Sequence, residues 1–125
     1  MSAKIHNIMA ERVLLVVEDE PLVRTDMREL LEEAGYTVRE APSADEALRL
    51  LESDGIDVVL TDIQMPGTYN GLDLAWMVRT FWPHIPVVVT SGEVLPDAID
   101  LPANTPMLTK PFSRERLLKM VEAMA

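Results

Sequence analysis

The sequence predicts a doubly wound α/β domain built on a parallel β-sheet. Short apolar runs rich in β-branched residues alternate, along 125 residues, with segments in which apolar side chains recur every three or four positions. This alternation is typical of successive βαβ units. The strongest runs are apolar throughout, as expected for strands that are covered on both faces. An apolar content of 48% is enough for one modest core, so we expect a single domain with helices on both faces of the sheet.

The amino-terminal half contains three predicted strands and two predicted helices. Residues 13–17 form the first strand, and the helical spacing of apolar residues that follows ends at Gly35, a residue suited to a helix C-terminus. Residues 37–40 predict a short, polar edge strand. Ser43, followed three residues later by Glu46, forms a capping box for a helix over residues 44–52. Residues 57–61 predict a second fully buried strand.

The carboxyl-terminal half continues the same alternation, with one weak unit. We expect a helix over residues 72–81, strands over residues 86–90 and 106–109, and a last helix capped by Ser113. Residues 93–105 should supply a further helix between the last two strands. Pro96 and Pro102 leave room there for about one turn, so this fourth helix is predicted to be short or missing.

Composition and charge limit the classes of function. The chain carries 21 acidic residues against 11 Lys and Arg, a formal charge of −10, which argues against binding to nucleic acid. It has no cysteines, and no apolar run approaches the roughly 20 residues of a membrane span. Residues 1–11 lack the hydrophobic core of a secretion signal. We therefore expect a cytoplasmic protein with a short extension over residues 1–11 and one domain over residues 12–125.

Polar side chains follow the predicted buried strands at the point where each strand ends. Because the carboxyl ends of parallel strands meet at one edge of the sheet, we expect these side chains to lie close together. They comprise Glu18, Asp19 and Glu20 after the first strand, Asp62 after the third, Ser91 after the fourth and Lys110 after the fifth.

The chemistry of these side chains points to phosphoryl transfer. Two carboxylates ~4 Å apart repel by about 4 kcal/mol at an effective dielectric of ~20, so Glu18, Asp19 and Asp62 in one pocket require protons or a cation. Hard oxygen ligands favour Mg²⁺. Lys110 would add a second positive charge for a phosphoryl group, and Ser91 a hydrogen-bond donor. Asp62 would then be the nucleophile.

The motifs LLVVEDEP, DVVLTDIQMPG, GLDLA, VVVTSGE and KPF, in this order and spacing, resemble those of the response-regulator receiver domain from Arg12 onward. The resemblance implies a flavodoxin-like, five-stranded sheet in the order 2-1-3-4-5. It also implies a stand-alone, single-domain response regulator of two-component signalling. Such a protein takes phosphoryl from a sensor histidine kinase, a histidine-phosphotransfer protein or a small donor, and acts on an unknown downstream protein.

The resemblance implies a role for each matching residue of the acidic site. Asp62 would be the phosphoacceptor, Asp19 would bind Mg²⁺ or Mn²⁺ directly, and Glu18 would bind it through water. The backbone carbonyl of Gln64 would be a further metal ligand. The family catalyses only its own phosphorylation and slow self-dephosphorylation, so we do not expect an enzyme that acts on other substrates.

Three further positions, and a second role for Gln64, follow from the same resemblance. Ser91 matches the hydroxyl that turns toward the phosphoryl group, and Lys110, in a cis bond to Pro111, matches the invariant lysine. Gln64 and Glu93 lie where the family modulates self-dephosphorylation.

Three departures from the family pattern concern the surface rather than the chemistry. The turn over residues 65–71 is one residue longer than the commonest form, and the fourth helix is shortened. Met107 stands where the family usually has an aromatic switch. We therefore expect an altered output surface and a monomer or weak dimer.

Ordinary structural explanations and other functions stay open. The run Asp19-Glu20-Pro21 is also typical of a helix start, with Asp19 as N-cap. For Glu20, membership of this helix start is the preferred explanation. We expect three aromatic residues to pack against the core rather than to form a binding platform: Trp76, Phe81 and Trp82. The chain could be a phosphate sink, a phosphoryl relay or a binding module that takes no phosphate. An aspartyl phosphatase is disfavoured because Gln64 stands where such enzymes carry a second aspartate.

Overall fold

The computed structural model describes residues 12–53, 55–92 and 100–124. They form five strands and four helices, which alternate up to β4; the described residues between β4 and β5, 92 and 100–106, contain no helix. The strands are β1 Val13–Val17, β2 Thr37–Ala41, β3 Val58–Asp62, β4 Val87–Ser91 and β5 Met107–Thr109, and the helices are α1 Pro21–Glu33, α2 Ala44–Ser53, α3 Gly71–Phe81 and α4 Arg114–Met124.

The five strands form one parallel sheet in the order β2-β1-β3-β4-β5. This order confirms the predicted fold class. It puts β1 next to β3 and β3 next to β4, so the ends of these three strands are neighbours in space.

Strands β3 and β4 begin and end one residue later than the sequence predicts. Asp57 precedes β3, where its side chain accepts a hydrogen bond from Val13 N at 2.8 Å. At the other end the ladder continues, because Ile63 N donates to Thr90 O at 2.9 Å. Asp62 and Ser91 are therefore the last residues of their strands rather than the first residues of loops.

Alternate residues of each strand face opposite sides of the sheet and enter two separate cores. One core joins Leu15, Val59 and Val89 to buried residues of α2 and α3. The other joins Leu60 and Val88 to buried residues of α1 and α4. Two helices therefore cover each face, as the fully apolar strands predict.

The helix ends follow local sequence signals. Gly35, just after α1, has a φ of 102°, which suits the left-handed residue beyond a helix C-terminus. Ser43 and Ser113 accept hydrogen bonds at the starts of α2 and α4, from Glu46 N at 3.2 Å and Arg116 N at 3.1 Å. Of the two residues in the helix-start alternative, Glu20 and not Asp19 is the N-cap of α1, and Pro21 begins the helix.

Residues 100–106 contain no helix, so the helix predicted between β4 and β5 does not extend into them. Residues 93–99, where the rest of that prediction falls, lie outside the described residues. Trp76 of α3 contacts this region, since its Nε1 donates to Asp100 O at 2.7 Å. Trp82 packs on the core as predicted, whereas Trp76 and Phe81 are exposed.

None of the helices within the ranges that the structure describes has the length and apolarity needed to cross a membrane.

Candidate functional site

The carboxyl edge of the sheet brings together the side chains that the sequence singles out. Glu18 directly follows β1, Asp62 ends β3, Ser91 ends β4 and Lys110 directly follows β5. Because β1, β3, β4 and β5 are consecutive in the sheet, these residues occupy adjacent positions along one edge.

Three carboxylates form a cluster at this edge. Glu18, Asp19 and Asp62 each place one carboxylate oxygen within 4.8 Å of the others. Glu18 is 1% exposed and Asp62 is 7% exposed, while Asp19 is half-buried. The structure therefore brings together the three acids that the sequence assigns to one pocket.

Glu20 does not belong to this cluster. Its side chain is exposed at the N-cap of α1, and its backbone N donates to Glu18 Oε2 at 3.2 Å. The division of the acidic run, with Glu20 assigned to the helix start, is thus confirmed.

Lys110 crosses from β5 to the acids. Its Nζ lies 2.7 Å from Glu18 Oε1 and 3.3 Å from Asp62 Oδ2. The peptide bond between Lys110 and Pro111 is cis, as the resemblance implies. One ammonium thus contacts two of the three clustered carboxylates, which leaves an excess of negative charge in the pocket.

The pKa values of Glu18 and Lys110 reflect this environment. Burial raises the pKa of Glu18, and the hydrogen bond and charge of Lys110 only partly offset that effect. Burial lowers the pKa of Lys110, but the hydrogen bond to Glu18 and the charge of Asp62 outweigh it, so the net shift of the Lys110 pKa is upward.

Gly71 supports the backbone at the acceptor end of β3. Its N donates to Ile63 O at 2.8 Å, and a Cβ at this position would overlap the carbonyl oxygen of Asp62. Only glycine lets the first residue of α3 approach so closely. Sequence reasoning missed this role, although the glycine opens the motif GLDLA.

The other predicted site residues are placed as follows. Ser91 is buried, and its carbonyl accepts a hydrogen bond from Lys110 N at 2.6 Å. Gln64 is exposed in the loop after β3, and Met107 is half-buried at the start of β5. Glu93 lies outside the described residues.

The cluster fits a hard divalent cation. All three donors are carboxylates, the ligand type that Mg²⁺ and Mn²⁺ prefer. Asp62 Oδ1 is buried and has no hydrogen-bond partner among the residues described. A buried carboxylate oxygen without a partner is costly, and a cation would relieve that cost.

Comparisons with known proteins agree with this geometry. The family model of the response regulator receiver domain matches residues 14–122. The CAI-1 autoinducer sensor kinase/phosphatase CqsS of Vibrio cholerae is 36% identical over 119 residues, which cover 90% of this chain and 17% of that protein. The chain likewise spans about half or less of the next curated relatives that it matches.

Two solved structures share the fold. The chemotaxis protein CheY4 of Vibrio cholerae superposes with a TM-score of 0.81 at 28% identity, covering 92% of this chain and 99% of that one. The response regulator TrrA of Thermotoga maritima, in complex with Mg²⁺ and BeF, gives a TM-score of 0.80 at 28% identity, covering 91% and 99%. From its sequence, its sheet order and its acidic edge, this chain belongs to the response regulator receiver domain family of two-component signalling proteins.

Proposed function

We propose that this chain is a phosphoacceptor signalling domain that takes a phosphoryl group onto Asp62 and thereby changes its protein-binding surface. The donor is a phosphohistidine on a sensor histidine kinase or a phosphotransfer protein. One observation carries the proposal: Asp62 is buried at the strand edge, within reach of the Lys110 ammonium and beside two further carboxylates.

The reaction follows from the groups at this edge. A carboxylate oxygen of Asp62 attacks phosphorus, the phosphorus–nitrogen bond of the donor breaks, and its electron pair returns to the imidazole ring. The other nitrogen of the phosphohistidine ring carries a proton, so the histidine leaves as neutral imidazole. The product is an acyl phosphate on Asp62. Lys110 holds its ammonium against the phosphoryl oxygens, and the Ser91 hydroxyl donates to one of them.

The residues that would hold Mg²⁺ or Mn²⁺ are Glu18, Asp19, Asp62 and the backbone carbonyl of Gln64. The ion, when bound, offsets the negative charge of carboxylates and phosphoryl oxygens. The partnerless Asp62 Oδ1 supports this assignment. Lys110 by itself compensates one of the three carboxylates.

A groove next to the site suits the approach of a phosphohistidine-bearing protein. Its volume is about 400 Å³, and it runs between α1 and α4 with Val23, Leu30, Pro111 and Phe112 among its lining residues. Lys110 also lines it, so the groove reaches the acidic pocket. Leu22, in the first turn of α1, is 81% exposed. A helical donor that buried this apolar surface would bring its histidine to the strand edge.

The test is incubation with acetyl phosphate and Mg²⁺, followed by intact mass measurement. Wild type should gain one phosphoryl group, and Asp62→Asn should gain none. Asp45→Asn makes the same chemical change at an exposed position in α2 and should be labelled like wild type. An adduct of equal yield in Asp62→Asn, or no adduct on wild type from acetyl phosphate or a phosphorylated kinase, would overturn the proposal.

A relay function is the second candidate, and one finding favours it. The relative CqsS is a sensor kinase/phosphatase, and the chain matches only a segment of it. A relay domain passes its phosphoryl group on to another histidine. Rapid loss of the adduct upon addition of a histidine-phosphotransfer protein, with phosphate recovered on that protein, would distinguish a relay from an output domain.

A further inference from the structure

Thr90, the residue before Ser91 in β4, carries a buried hydroxyl that the described structure leaves without a partner. Thr90 is 1% exposed, and its Oγ1 has no hydrogen-bond partner within residues 12–53, 55–92 and 100–124. An unpaired buried hydroxyl destabilises the folded state, because it loses its hydrogen bonds to water without replacement. Valine has nearly the same shape and would avoid that cost, so the hydroxyl requires an explanation other than packing.

The sheet register places Thr90 beside the acceptor. Thr90 pairs with Asp62 across β3 and β4. The residues two positions earlier in the two strands, Leu60 and Val88, both lie in the core under α1 and α4. Since side chains alternate along a strand, Asp62 and Thr90 project from the same face, on strands ~4.8 Å apart.

Ser91 occupies a different position relative to the acceptor. Val89, two residues before Ser91, lies in the core under α2 and α3, so Ser91 projects from the opposite face to Thr90. The two consecutive hydroxyls therefore approach the end of β3 from two sides. The role expected of Ser91 does not account for Thr90.

The two unpaired groups are complementary. Asp62 Oδ1 is a buried acceptor without a donor, and Thr90 Oγ1 is a buried donor without an acceptor. Lys110 occupies the other oxygen, Asp62 Oδ2, at 3.3 Å. A hydrogen bond from Thr90 Oγ1 to Asp62 Oδ1 would satisfy both unpaired groups and leave this carboxylate oxygen a second lone pair for the proposed cation.

We propose that Thr90 is a positioning residue of the phosphoacceptor, whose hydroxyl donates to the carboxylate oxygen of Asp62 that does not carry the phosphoryl group. The inference rests on the proposed function of Asp62. In hydrolysis, water attacks phosphorus, the bond between phosphorus and the Asp62 oxygen breaks, and its electron pair returns to the carboxylate. Phosphate leaves with the protons of the water. A hydrogen bond to Asp62 is stronger for the charged carboxylate than for the neutral acyl group, so Thr90 favours loss of the phosphoryl group.

The test compares Thr90→Val, which keeps the shape, with Thr90→Ser, which keeps the hydroxyl. Each protein is phosphorylated with acetyl phosphate, the donor is removed, and the decay of the adduct is followed by intact mass. Thr90→Val should lengthen the half-life roughly 3- to 10-fold, the effect of about 1 kcal/mol on the barrier. Thr90→Ser should decay within about twofold of wild type.

Thr61→Val is the matched control, because it shows whether the loss of any buried hydroxyl near Asp62 lengthens the half-life of the adduct. Thr61 is buried next to Asp62, but its hydroxyl is already hydrogen-bonded to Asp62 O at 3.0 Å. Thr61→Val should therefore decay like wild type. Urea unfolding of each variant shows whether it folds; Thr90→Val should be at least as stable as wild type, because it loses an unpaired polar group.

The outcomes discriminate between this inference and the proposed function. A normal half-life in Thr90→Val, an equal lengthening in Thr90→Ser, or the same lengthening in Thr61→Val would each overturn the inference while the adduct on wild type upholds the proposed function. Absence of any adduct on wild type would overturn both. A long half-life confined to Thr90→Val supports the inference.

Discussion

At Glu18, burial and the neighbouring Asp62 carboxylate oppose the charged form of the side chain, whereas Lys110 favours it. Glu18 is almost fully buried, close to two other carboxylates, and paired with Lys110 at 2.7 Å. Folding raises its pKa, so folding disfavours its charged form. Without a cation, the burial of Glu18 in the acidic pocket therefore destabilises the folded state.

The pH dependence of stability follows from the raised pKa of Glu18. A carboxyl group whose pKa is higher in the folded state favours folding below its unfolded pKa of about 4.3, and this contribution is lost as pH rises through the folded pKa. In Glu18→Gln the contribution is absent. In metal-free buffer, we expect Glu18→Gln to be more stable than wild type at neutral pH, by on the order of 1 kcal/mol, since Lys110 offsets much of the repulsion.

Urea unfolding of both proteins in a chelator, from about pH 4 to pH 7, measures this difference. The advantage of Glu18→Gln should shrink as the pH falls and Glu18 becomes protonated. An advantage that grew toward acid pH, or a variant less stable than wild type at neutral pH, would contradict the account.

At the scale of single elements, α3 is the helix that positions the acceptor. Asn70 and Asp73 form a reciprocal capping box at its start, with hydrogen bonds of 2.9 and 3.0 Å. Gly71 then packs on the backbone of Asp62 and Ile63. The start of α3 is thus fixed against the end of β3 by contacts between backbone atoms. These atoms cannot move aside as the end of a flexible side chain could.

Gly71→Ala tests this contact. The added methyl group would meet the Asp62 carbonyl, and overpacking against backbone costs typically 1–3 kcal/mol. We expect a loss of unfolding free energy at the upper end of that range, together with slower phosphorylation of Asp62. Gly55→Ala is the matched control, because a Cβ at Gly55 would have no atom within 4 Å and should change stability by less than about 0.5 kcal/mol. Equal effects of the two substitutions on urea unfolding would contradict the role of Gly71.

The helices and strands show which features the sequence predicts and which depend on tertiary contacts. Apolar runs predict β1, β3, β4 and β5, and Ser43, Ser113 and Gly35 predict helix ends, because these signals are local; β2 is predicted as a polar edge strand. The ends of β3 and β4 were placed one residue early, because the side chain of Asp57 and the hydrogen bond between Ile63 and Thr90 depend on neighbouring strands. The contact of Gly71 with Asp62 and the pairing of Thr90 with Asp62 are also tertiary facts.

At the scale of the whole molecule, the domain gathers negative charge at one edge of its sheet. The formal charge of the chain is −10, and three of its carboxylates meet within 4.8 Å. A ligand that binds only the folded state stabilises it in proportion to the logarithm of its concentration. Divalent cations should therefore act on the stability of the entire domain through this edge.

We expect Mg²⁺ to raise the unfolding free energy of wild type by about 2.7 kcal/mol at a concentration of 100 times its dissociation constant. The measurement is urea unfolding across a Mg²⁺ titration at constant ionic strength. Asp19→Asn removes one of the proposed ligands and should lose most of this gain, while Asp45→Asn, which changes an exposed carboxylate outside the cluster, should keep it. Equal stabilisation of Asp19→Asn and wild type would show that the ion acts elsewhere.

The most direct test of the central claim is chemical trapping of the phosphoryl group after transfer from a phosphorylated histidine kinase or phosphotransfer protein. Borohydride reduces an acyl phosphate on aspartate to homoserine, which peptide mass mapping then locates. We expect homoserine at position 62 in wild type, dependent on the donor. Phosphate found on another residue, or no reduced residue at position 62 with any phosphorylated donor that labels the protein, would contradict it.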